Sequence, residues 1–219
     1  MTPQALKPQA TYLYGIIVGL SIRESLIQVV PQLTSATHNV EAWSLELQCF
    51  RLLLFLTTII RFYLGSVSFF DEVHNATTAD QNYTSKNYGL DFIVGLIHFV
   101  FFYAWATTIN DVKHRDPGSL SHFTALAGVV LAYDVVWLVV SLRYSTRNRI
   151  GAWTVINLLT IAICGFLIFV PLGEPMTREQ LAIVAAGIIG IIDIAGLIDN
   201  CNPIADRLVR LFSSASPVK

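Results

Sequence analysis

Six apolar blocks, each about twenty residues long, occupy most of this chain. They run over about 11–30, 47–70, 88–109, 122–142, 150–170 and 180–198. At 1.5 Å per residue, twenty helical residues cross the ~30 Å hydrocarbon core of a bilayer. Lipid offers no water to backbone N–H and C=O groups, so a spanning segment must satisfy them internally. The blocks are apolar without strict alternation, which selects helix over strand. The expected fold class is therefore all-α: a polytopic integral membrane bundle of about six transmembrane helices with short loops. Residues 1–202 form one transmembrane domain, and 203–219 form a short cytoplasmic tail with an amphipathic pattern around Ile204–Phe212.

Composition agrees. Hydrophobic residues make up 54% and charged residues 13%, against about 25% charged in soluble domains. A net charge of −1 provides no basic field for nucleic acid. The three cysteines form no CxxC, so neither a disulfide framework nor a zinc site is expected. P-loop, GxGxxG and HExxH motifs are absent, and no Ser–His–Asp order is defensible. The expectation is a protein that is not an enzyme and carries no cofactor or metal. The polar cluster Asp111, His114, Asp116 and His122 reads as a solvated loop.

Orientation follows from Lys and Arg. With six spans and a cytoplasmic N-terminus, the inner side collects Lys7, Lys86, Arg143, Arg147, Arg149, Arg207, Arg210 and Lys219. The outer side collects Lys113, Arg115 and Arg178. This places both termini in the cytoplasm, in the manner of a small bacterial inner-membrane protein. Sequons at Asn75 and Asn82 fall in a loop that this orientation puts inside, and the charge distribution outweighs them. Arg143, Arg147, Arg149 and the tail form a surface for a soluble cytoplasmic partner.

Charged side chains inside a span are costly unless paired or wet, so they mark function by default. Arg61 lies well inside the second block, with Thr57 and Thr58 on its face. A permanently charged guanidinium calls for a carboxylate. Asp91 and His98 share a face of the third block, and Asp134 is central in the fourth. Matching depths makes Arg61–Asp134 the expected central pair, with Asp91 as the alternative acceptor and His98 beside it. Arg51, near the start of its block, reads as interfacial. In the first block, Glu24 aligns with Ser21, Gln28 and Pro31, while Arg23 aligns with Gly19; Pro31 should end that helix. In the fifth, Asn157, Thr160 and Cys164 form a mild polar stripe. In the sixth, Gly190 and Asp193 share a face built for close helix contact, and Glu24, Gly190 and Asp193 together are the candidate pore or helix-contact face.

These features lead to a homo-oligomeric pore or gated membrane effector as the expected function, with the bilayer and further copies of the chain as partners. A small proton-coupled transporter is the alternative, and a non-conducting sensor or scaffold subunit a third.

Overall fold

The computed structural model describes residues 3–34, 42–75, 85–110, 121–141, 148–169 and 175–200. Among these residues the protein is all-helical: α1 (Pro3–Thr34), α2 (Ala42–Asn75), α3 (Ser85–Ala106), α4 (His122–Ser141), α5 (Asn148–Phe169) and α6 (Pro175–Asn200). Each expected block centres on one helix, though 107–109 lie beyond the end of α3, and Leu142 and Val170 are outside the described residues. Tyr12–Pro31, Leu45–Val67 and His122–Val139 are long and apolar enough to cross a membrane, and Phe92–Ala106 and Thr154–Phe169 are shorter apolar helices. The loop histidine and aspartates 111–116, the basic residues Arg143 and Arg147, the sequon residue Asn82 and the tail lie outside the described residues. So do the side chains of Asn75, Asp91 and Arg149.

Local signals explain several helix ends. Pro3 and Pro175 each occupy a first helical position, where proline's missing N–H is an orphan in any case. Ser121 caps α4: its Oγ accepts from the Thr124 amide at 3.2 Å, the bond expected of an N-cap serine. Pro31 behaves differently from expectation, because α1 continues through it to Thr34. Proline removes one N–H and crowds the carbonyl four residues back. The donor lost is the one that would have served the Ile27 carbonyl, a single bond in the last turns of a 32-residue helix.

The main packing partners close a ring in the order α1, α3, α4, α5, α6, α2 and back to α1. Aromatic side chains fill its interior. Phe62 of α2 lies 3.9 Å from the His98 ring and 5.4 Å from Phe99 and Phe102 of α3. Phe55 meets Trp105 edge-on at 5.3 Å, and Trp105 contacts Phe123 of α4 at 5.2 Å. Such pairs add about 0.5–1.5 kcal/mol each beyond area burial. The outer faces are mainly apolar, with Ile16, Leu53, Val100, Val136, Phe166 and Ile192 all exposed, and Arg23 of α1 is exposed among them. Polar groups inside and an apolar surface outside are the arrangement that suits lipid.

Two glycines set helix spacing. A Cβ on Gly190 of α6 would lie 2.7 Å from Thr57 Cγ2 of α2, and one on Gly95 of α3 would overlap the Tyr14 hydroxyl of α1. The helix-contact role expected of the Gly190 face is thus fulfilled within one chain.

Candidate functional site

The ring brings four helices together around Arg61, which is 6% exposed. Its Nε donates to Asp193 Oδ2 of α6 in a buried ion pair. Its Nη2 donates to Asn157 Oδ1 of α5 at 2.6 Å. Asn157 Nδ2 in turn donates to Asp134 Oδ2 of α4. The chain of bonds therefore runs Asp193, Arg61, Asn157, Asp134, joining α6, α2, α5 and α4. Depth permits it: Asp134 and Asp193 each stand seven residues before the end of their helix, and Asn157 nine after the start of its own. All three lie ~10–14 Å from the same end of the bundle.

This corrects the expected direct pair. Arg61 reaches Asp134 through Asn157, and its carboxylate partner is Asp193. The reason is helix order. Sequence neighbours were matched by depth, but α6 packs beside α2, so Asp193 arrives first. Asp193 pairs with Arg61 within its own chain. Glu24 does not join Gly190 and Asp193. It lies on α1, half-buried, and accepts from Gln28 Nε2 at 2.9 Å one turn on. Asp91 lies on α3 one turn before Gly95, and its side chain is outside the described residues.

His98 is 1% exposed and stacked on Phe102 at 5.0 Å, 5° between planes. Neither of its ring nitrogens has a hydrogen-bond partner among the described residues, and the same holds for Asp134 Oδ1. His98, Asp134, Arg61 and Thr58 line one cavity of about 10 Å³, the scale of a single water molecule. Phe62, Phe102, Val130 and Leu131 complete the lining, so three of the chain's unmatched buried polar atoms stand together beside a largely apolar cavity, against the rule that buried polar groups are bonded.

A second polar layer was not foreseen. Arg51 is fully buried within the bundle. Its Nη2 donates to Glu179 Oε1 of α6 at 2.9 Å, and its Nη1 to the Ile109 carbonyl at 3.3 Å. The hydroxyls of Ser121 and Thr124 donate to the same Glu179 oxygen at 2.5 and 2.8 Å, and the guanidinium lies 5.2 Å over Phe123. Gln48 Nε2 donates to Asn110 Oδ1 at 3.2 Å nearby. Arg51 precedes Arg61 by ten residues, so the layers stand ~15 Å apart along α2. The available signal was an acidic residue at the start of α6 and an arginine near the start of α2, which antiparallel order puts at the same end.

Compared with family models, curated proteins and solved structures, the chain matches none.

Proposed function

We propose that the protein is a small proton-coupled membrane carrier whose proton site is the Arg61–Asp134–His98 region. The observation that carries this reading is charge balance. Within the central layer two carboxylates, Asp134 and Asp193, face one guanidinium, Arg61. An uncompensated carboxylate in apolar surroundings costs several kcal/mol or more, so one further positive charge belongs there. A proton is the charge that fits a cavity of one-water size. Asp134 Oδ1 and the nitrogens of His98 are the atoms free to hold it. The groups facing this position are Arg61 and Thr58 from α2, His98 from α3, Asn157 from α5 and Asp193 from α6. Loading and unloading that proton changes the charge that holds four helices together, and this is the element of coupling a carrier needs. The Lys and Arg distribution supports both termini on the cytoplasmic side of a bacterial inner membrane.

Proteoliposomes loaded with a pH-reporting dye, under an imposed potential, test the reading. Purified protein should speed proton entry over protein-free vesicles, and Asp134→Asn should abolish the gain while preserving the fold. Equal entry with and without protein sinks the proposal.

One observation favours a second reading, the homo-oligomeric pore or gated effector. Arg23 is exposed on α1 within the span Tyr12–Pro31 and makes no ion pair among the described residues. Beside it Gly19 has open space around its Cβ position. A face of this kind suits a second copy in lipid. Cysteine placed at Gly19, with the native thiols removed, would cross-link two copies across that face; a chain that stays monomeric in lipid excludes it.

A further inference from the structure

A second, larger cavity of about 260 Å³ opens within the ring, bounded by α2, α4, α5 and α6. It exceeds the ~150 Å³ that holds a benzene ring in an apolar protein interior. Its back wall is buried: Leu54 of α2, Ile183 and Gly190 of α6, and Trp105 beyond. Its exposed lining residues, Ala125, Gly128 and Phe169, all belong to α4 and α5. A Cβ built on Gly128 or on Gly165 would meet nothing within 4 Å. The mouth therefore lies between these two helices, where their glycines leave a gap, and it faces the same surroundings as the exposed apolar side chains.

Apart from the buried Trp105 indole N–H, which has no partner among the described residues, the polar groups in its wall have commitments elsewhere. The Thr58 and Thr160 hydroxyls donate to backbone carbonyls of their own helices at 2.8 Å. Thr124 donates to Glu179, and Arg61 to Asp193 and Asn157. The wall is thus apolar in effect and suits a hydrocarbon tail rather than a polar head. In the hydrocarbon region of a bilayer, what stands at such a mouth is the acyl chains themselves.

We propose that this cavity binds one acyl chain of a membrane lipid, entering sideways between α4 and α5. Thr58 and Arg61 line both this cavity and the smaller one. A chain seated here therefore presses on the wall of the central charged layer, and lipid occupancy regulates that layer. The inference rests on the membrane placement of the bundle and not on proton coupling.

Trp105 provides the probe. A variant keeping Trp105 alone, with Trp43, Trp137 and Trp153 changed to Phe, is reconstituted in phosphatidylcholine brominated along its acyl chains. Although Trp105 is 1% exposed, it should lose most of its emission. Gly128→Leu and Gly165→Leu, which fill the cavity without a backbone clash, should restore that emission. Unquenched Trp105, or quenching unchanged by both fillings, overturns the proposal. Where the phenylalanine replacements unfold the chain, the same comparison is made on the four-tryptophan protein with and without Gly165→Leu, and identical quenching there overturns it equally. Proton entry plays no part in this readout, so failure here leaves the carrier reading standing, and the reverse.

Discussion

Arg61 and Asp134 belong to one bonded chain, yet they should respond to substitution in opposite ways. Arg61→Ala removes the guanidinium that, among the described residues, serves this layer of two carboxylates, and takes a donor from Asp193 Oδ2 and from Asn157 Oδ1. Breaking a buried pair in this way costs ~3–5 kcal/mol. Arg61→Lys should recover little, because one ammonium cannot reproduce two bonds leaving different edges of a planar fork. Asp134→Asn, by contrast, removes the surplus charge and keeps an acceptor for Asn157, so stability should hold. Unfolding titrations in mixed micelles of the three variants check this; an Asp134→Asn protein as damaged as Arg61→Ala would refute the charge balance. At this scale the sequence told that Arg61 needs an acceptor and that Asp134 and His98 share its depth. It did not tell which acceptor, since depth along a helix is readable but position around a ring of six is not. Asn157 stands out in the sequence only as part of a mild polar stripe, because an amide carries no charge. The Arg51–Glu179 pair is likewise hidden in the sequence, since only the packed ring brings α6 beside α2.

The six helices themselves were legible, because uninterrupted apolar runs of spanning length admit few alternatives in lipid. Their ends were less so, as the passage of α1 through Pro31 shows. The close contact of α2 with α6 depends on Gly190, which sits one turn from Asp193. Gly190→Val forces its side chain into Thr57 and should cost ~1–3 kcal/mol as overpacking, moving Asp193 away from Arg61 as the helices part. Gly187, three residues earlier on α6, has open space around its Cβ position, so Gly187→Ala should leave stability unchanged. Thermal unfolding of both in detergent separates the cases. Equal losses would mean that α6 is generally intolerant and that Gly190 sets no spacing.

Taken whole, the molecule is a ring of apolar helices holding two charged layers ~15 Å apart. The layers differ in kind. At one end Arg51 pairs with Glu179, supported by two hydroxyls, and among the described residues that pair balances its own charge. Nearer the other end Arg61 serves two carboxylates beside a histidine with no bonded nitrogen, and its charges do not. One balanced layer suits a fixed structural tie; the unbalanced one suits a site that exchanges a proton. Infrared difference spectra of the reconstituted protein across a pH jump test that distinction most directly. The account predicts a carboxylic C=O band that appears and disappears with pH in the native protein and is lost in Asp134→Asn. A native protein with no such band, or one whose band survives Asp134→Asn, would contradict it.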